Sequence, residues 1–184
     1  AFAVECLEKI ILAGHEVVAV LTQQDKPKGR GYELSQSAVK VCALNHGIRV
    51  IQPKTLRNQE TFDLLKQINP EVIVVVAYGK ILPKNILSLP KYGCINVHAS
   101  LLPKYRGAAP IQWSIINGEE KTGVTTMYMD EGLDTGDMIL KDETSIQGDE
   151  TSKDLFERLS IMGANLIVKT LEEIEKGSAI RIKQ

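Results

Sequence analysis

The sequence predicts an α/β fold, with a mostly parallel sheet and helices on both faces. Three observations predict it. Segments with helical apolar spacing alternate with short apolar runs of strand length, the pattern of parallel strands joined by crossover helices. The runs Val17–Leu21 and Val72–Val76 are continuously apolar, as strands covered on both faces are. A chain of 184 residues, 43% hydrophobic and 24% charged, is one domain's worth of protein with a sizeable core.

The elements follow in order. Phe2 to Ala13 has the spacing of a helix, closed by Gly14. Val17 to Leu21 reads as a strand buried on both faces. Ser37 to Asn45 reads as a helix ended by His46-Gly47, and Val50-Ile51 as a short strand. Thr61 to Ile68 is helical up to Asn69-Pro70, where proline stops it. Val72 to Val76 is the most strand-like run. Lys84 to Leu89 is a short helix after Pro83, and Cys94 to Val97 a buried strand. Ala109 to Ile116 reads as a helix and Val124 to Met129 as a strand. Met138 to Lys141 and Thr144 to Ile146 read as extended. Thr151 to Lys176 is a long helix, opened by a capping box with Thr151 and Asp154. The chain opens in a helix where a strand ordinarily starts such a unit, so a first strand is expected to be missing.

Composition narrows the function. A net charge of −1 gives no bulk attraction to nucleic acid or membrane, so a polyanion must be gripped by a local patch. Cys6, Cys42 and Cys94 show no C-x-x-C spacing, and buried free thiols in a reducing compartment are expected. No apolar run approaches the ~20 residues of a membrane span. With no basic leader either, a cytoplasmic protein without membrane contact is expected.

The chemistry concentrates at Asn96, His98 and Asp134. Alternation along a strand turns Asn96 and His98 to one face and Ile95 and Val97 to the other. An amide donor and an imidazole then stand together at the carboxyl end of a strand, where α/β sheets bind ligands. Asp134, between Gly132 and Gly136, adds a carboxylate able to orient or charge-stabilise His98. The set offers an acid/base pair and an oxyanion donor. The plainer alternative is a buried polar pair satisfying loop backbone. His15 and His46 stand at helix ends and lack ligand spacing to His98, which weakens a metal-dependent hydrolase. No G-x-G-x-x-G marks a dinucleotide site.

Two loops stand out. Gln23 to Leu34 carries Lys26, Lys28 and Arg30, and reads equally as a solvated surface loop or an anion-gripping arm. Ser100 to Gly107 carries Lys104 and Arg106 beside the candidate strand.

These residues resemble the folate-dependent formyltransferases. Asn96-Val97-His98 with Ser100-Leu101-Leu102-Pro103, and Asp134 within Gly-Leu-Asp-Thr-Gly-Asp, are similar to the signature of the whole superfamily. A narrower similarity, to the branch acting on methionyl-tRNA, rests on Asp25 to Gly31, Val74 to Pro83, Tyr105 to Gln112 and Met127 to Glu131. The resemblance covers nearly the whole chain. It implies a Rossmann-like formyltransferase fold, with residues 1–184 a catalytic domain lacking its first strand and a C-terminal β-barrel domain. It implies formyl transfer from 10-formyltetrahydrofolate to the α-amine of initiator methionyl-tRNA, by a monomer that requires no metal. The alternative within the resemblance is a relative whose acceptor is a small amine or water. Asn96, His98 and Asp134 become the implied catalytic residues. Ser100, Leu101, Leu102, Pro103, Ile81 and Leu82 are implied folate contacts, and Lys28 and Arg30 implied tRNA contacts.

Overall fold

The computed structural model describes residues 1–31 and 33–184. Tyr32, inside the expected polar loop, lies outside the described residues. The elements run α1 (Phe2–Leu12), β1 (Val20–Leu21), β2 (Lys26–Lys28), β3 (Glu33–Ser35), α2 (Ala38–Asn45), β4 (Val50–Ile51) and α3 (Gln59–Ile68). They continue with β5 (Ile73–Val75), α4 (Lys84–Leu87), β6 (Cys94–His98), α5 (Pro110–Ile116), β7 (Lys121–Tyr128), β8 (Met138–Ser145) and α6 (Ser152–Lys176).

The helix ends are written in the sequence. Ser37 accepts from the Lys40 amide at 3.2 Å and Asn58 from the Thr61 amide at 2.9 Å, each satisfying an amide that the first turn leaves free. Thr151 and Asp154 form the expected reciprocal capping box. At the other end of α6, Gly177 takes the left-handed conformation at φ 72°.

The sheet is mixed. β1 pairs with β4, and β5 with β6, in parallel. β6–β7 and β7–β8 are antiparallel, so the mostly parallel sheet expected from the sequence holds only for the first half. Continuous apolar runs report that a strand is covered on both faces, and β7, buried from Thr122 to Met127, is covered although antiparallel. The two extended pieces expected after Met138 form one edge strand, β8, whose second half is largely exposed.

Helices cover both faces. Ile95 and Val97 of β6 join the core of α1, α5 and α6 with Phe2, Ile111, Leu159 and Ile167. Burying each such side chain is worth about 1.5–3 kcal/mol. Gly163 lets α6 sit close, because a Cβ there would lie 2.8 Å from Phe2 and 3.1 Å from Val97. On the opposite face, Cys94 packs with Leu56, Leu65, Leu82 and Ile86 from the α3 and α4 side.

Val17–Leu21 departs from expectation. Only Val20 and Leu21 form a strand, and Val18 is 46% exposed. The segment walls a cleft of about 970 Å³ between the β1–β4 pair and β5, facing Val72 to Val76. No strand of the described residues pairs with β1 on that side, so its apolar run is only half covered. The cleft lining does not include Asn96, His98 or Asp134. Among the described residues, no helix is long and apolar enough to cross a membrane.

Candidate active site

β6 delivers the first two candidate side chains. Its apolar residues Ile95 and Val97 face α6, so Asn96 and His98 turn to the other side, as strand alternation requires. Register with β7 places Asn96 opposite Met127 and His98 opposite Thr125.

Asp134 arrives from the β7–β8 connection. The turn is tied by Asp130, whose Oδ1 accepts from the Gly132 amide at 2.9 Å and the Thr135 hydroxyl at 2.7 Å. The two glycines are sterically required. A Cβ on Gly132 would lie 2.1 Å from Thr135 Oγ1, and one on Gly136 would lie 1.6 Å from the Tyr128 carbonyl oxygen. Asp134 itself sits in the left-handed region at φ 53°, a conformation that a short polar side chain tolerates better than most.

The three side chains meet. Asn96 Nδ2 donates to Asp134 Oδ1 at 3.2 Å, and His98 Nδ1 lies 3.7 Å from Asp134 Oδ2. The His98 and Asp134 side chains are only 8% and 13% exposed, which strengthens their electrostatic coupling. The Gly107 amide also donates to Asp134 Oδ2, at 2.8 Å. His98 Nε2 stands 2.8 Å from the Tyr105 carbonyl. That carbonyl can only accept, so Nε2 carries a proton and Nδ1 is the nitrogen left to exchange one. Among the described residues, the Asn96 amide donates to Asp134 alone, which leaves its second N–H without a protein acceptor.

Tyr105 and Gly107 were not singled out as site residues by sequence reasoning. Their signal was conformational. Tyr105 and Gly107 both have positive φ, 57° and 88°, which turns the 100–107 loop back over His98. The loop is braced from outside, where Glu119 accepts from the Tyr105 hydroxyl at 2.7 Å and pairs with Lys104 at 3.3 Å. The Tyr105 hydroxyl and then Lys104 hold the Glu119 carboxyl below its usual range. Gln184 was also missed. It donates to the carbonyls of Asp134 and Gly136 at 2.8 Å each, and accepts from Arg106 Nε at 2.9 Å.

The expected folate residues divide into two groups. Ser100 and Leu102 are fully buried. The Ser100 hydroxyl donates to the Lys104 carbonyl at 2.6 Å, and Thr125 Oγ1 ties the segment by bonding the Ser100 carbonyl and the Leu102 amide. Lys141 Nζ donates to the Leu102 carbonyl. Leu82 is buried against Ile86 and Leu65. Leu101 is half-buried, while Ile81 and Pro103 are exposed and open to a ligand.

The basic loop is an antiparallel hairpin of β2 and β3, with Gly29 at its turn. Lys28 and Arg30 are exposed on it. Asp25 at its base accepts from Lys40 and from Gln52, each at 2.8 Å. Lys40 first, then Gln52, holds the Asp25 carboxyl below its usual range. Among the described residues, Lys28 and Arg30 share no hydrogen bond with the Asn96–His98–Asp134 cluster.

Known proteins share this arrangement of chain. The methionyl-tRNA formyltransferases of Agathobacter rectalis and Clostridioides difficile are each 59% identical over 97% of the chain. The chain spans 57% and 58% of their respective lengths. Among solved structures, phosphoribosylglycinamide formyltransferase from Bacillus halodurans superposes with a TM-score of 0.77 at 26% identity, covering 94% of this chain and 89% of that one. A formyltransferase from Anoxybacillus kamchatkensis, solved with a formamido sugar nucleotide and tetrahydrofolate, gives a TM-score of 0.64 at 25% identity. That match covers 90% of this chain and 80% of the other. Residues 2–171 match the family model described as formyl transferase. A match of that extent, with the amide, imidazole and carboxylate gathered at the end of β6, means that the chain belongs to the formyl transferase family.

Proposed function

We propose that residues 1–184 act as the catalytic domain of an enzyme that moves a formyl group from 10-formyltetrahydrofolate to the α-amine of initiator methionyl-tRNA. The observation carrying this reading is the Asn96–Asp134–His98 cluster, joined at 3.2 and 3.7 Å. The 59% identity to two methionyl-tRNA formyltransferases supports the choice of acceptor. The proposed setting is cytoplasmic and the proposed active form a monomer.

The reaction is acyl transfer between two nitrogens. The amine nitrogen bonds to the formyl carbon, negative charge grows on the formyl oxygen, and the bond to the folate nitrogen then breaks. One proton leaves the attacking nitrogen and one reaches the departing nitrogen. The free N–H of Asn96 is the donor for the charged oxygen, an interaction worth about 2.7–4 kcal/mol of barrier. Asp134 is the first acceptor for the amine proton, and His98 Nδ1 beside it is the relay. Acid/base catalysis of this kind contributes roughly 10²–10⁴-fold. The formyl group on an aryl nitrogen is reactive enough that no metal is required in this scheme.

Ile81, Leu101 and Pro103 are the proposed contacts to the folate ring system, with Ser100, Leu102 and Leu82 shaping the wall behind them. Apolar walls with a few backbone polar groups suit a flat heterocycle. Lys28 and Arg30 on the hairpin are the proposed contacts to tRNA phosphates.

The test is formyl transfer by the full-length protein from labelled 10-formyltetrahydrofolate. Label on the methionine of initiator tRNA, lost in Asn96→Ala and Asp134→Ala, is the expected result. Folate deformylation without label on tRNA would move the acceptor to water or a small amine.

A further inference from the structure

α1 and α2 pack together away from the catalytic cluster and bring three side chains of different chemistry to one point. Cys42 Sγ donates to Glu8 Oε1 at 3.2 Å, and His46 Nε2 lies 3.3 Å from Glu8 Oε2. One ligand atom from each of the three residues lies within 4.8 Å of the other two. Cys42 and His46 stand one helical turn apart at the end of α2, so they share a face, and Glu8 reaches them from α1. An end-of-helix histidine paired with a carboxylate accounts for Glu8 and His46. It leaves unexplained why a thiol completes the group at the buried edge.

We infer that Glu8, Cys42 and His46 form a binding site for a divalent cation of the Zn²⁺ class, with water as fourth ligand on the exposed side. The donor set selects the ion. A thiolate and an imidazole with one carboxylate oxygen suit a borderline cation, whereas Mg²⁺ and Ca²⁺ take oxygen ligands. The spacing fits too. Tetrahedral bonds of about 2.0–2.3 Å put neighbouring ligands roughly 3.3–3.8 Å apart. The two measured edges, 3.2 and 3.3 Å, run to different oxygens of Glu8, so seating one oxygen against both partners needs rotamer adjustments of Glu8 and His46, whose side chains are 44% and 36% exposed.

Binding releases the Cys42 thiol proton to solvent. The two charges of the cation are then balanced by one thiolate and one carboxylate, leaving a neutral site. Cys42 lies against Leu7 and Ala43, so water is kept from the sulfur side. The site ties α1 to α2, does not depend on the proposed reaction, and calls for no part in it.

The test uses the full-length protein, stripped with chelator and titrated with Co²⁺ as a coloured stand-in for Zn²⁺. One equivalent is expected to bind with tetrahedral visible bands and a near-ultraviolet thiolate-to-cobalt charge-transfer band, both displaced by Zn²⁺. C42S should abolish the charge-transfer band. H46N, at a half-exposed cap position that should leave folding intact, should weaken binding by at least about tenfold while formyl transfer is unchanged. A wild-type spectrum without the thiolate band, a band surviving in C42S, or unchanged affinity in H46N would each overturn the site.

Discussion

His98 Nε2 lies 2.8 Å from the carbonyl oxygen of Tyr105, and this contact fixes which side of the ring is free. A carbonyl has no proton to give, so the neutral ring is the Nε2–H tautomer with Nδ1 toward Asp134. Nitrogen-resolved NMR of the full-length protein at a pH where His98 is neutral should show a protonated Nε2 and a bare Nδ1. The opposite tautomer would rule out Nδ1 as the proposed proton relay.

Asp134→Asn separates charge from shape. The Asn oxygen can keep only one of the two bonds that Asp134 accepts, from Asn96 and from the Gly107 amide, so thermal stability should fall by about 1 kcal/mol. The carboxylate proposed to take the amine proton is gone, and formyl transfer should fall by roughly 10²–10⁴-fold. Retained activity would assign the proton to another group.

Gly136→Ala tests the turn that presents Asp134. An added Cβ would lie 1.6 Å from the Tyr128 carbonyl oxygen, which is backbone and has nowhere to go. The β7–β8 connection must open, at a cost of about 2–4 kcal/mol in denaturant unfolding, and Asp134 should move away from Asn96 and His98. Activity should fall along with stability, and stability should fall further than in Asp134→Asn.

Arg30→Ala addresses the hairpin. If Arg30 meets a tRNA phosphate, affinity for initiator tRNA should fall and the slope of log affinity against log salt should shrink by about one. Folate affinity should not change. An unaltered slope would leave the hairpin as surface only.

Acid stability should follow Glu150. Its carboxylate is held below the usual range, first by Arg158, whose Nε lies 2.6 Å away. A carboxyl depressed in the folded state stabilises above its unfolded value. That stability disappears as pH falls through the folded value. Glu150→Gln should therefore lower stability by about 1–2 kcal/mol at pH 7 and flatten its decline in acid, read as Tm against pH. Equal losses at pH 7 and in strong acid would point to packing instead of charge.

The sequence made the helices and the meeting of Asn96, His98 and Asp134 legible, and it left strand direction and loop closure hidden. Helix ends carry local signals: Ser37, Gly177 and the Thr151–Asp154 box need only neighbouring residues to act. Asn96 and His98 were readable because two-residue alternation is a property of any strand. Antiparallel pairing of β7 with β6 and β8 was not, since an apolar run is the same read in either direction. The β2–β3 hairpin carries no apolar alternation, so Gln23 to Leu34 reads as a loop, surface or anion-gripping, and not as paired strands. The Tyr105 carbonyl and the Gly107 amide are backbone groups, and side-chain chemistry gives them no signature.

The alternation of β6 also constrains how this chain can change over time. Asn96 and His98 face the site only because Ile95 and Val97 face α6. One residue gained or lost within Cys94–His98 would exchange the two faces, turning polar groups toward α6 and aliphatic ones toward the substrate side. Point substitutions there can be graded, whereas length changes have no mild form. Lineages carrying this strand should therefore vary in length at exposed turns such as Gly29 or Gly148 and never inside β6.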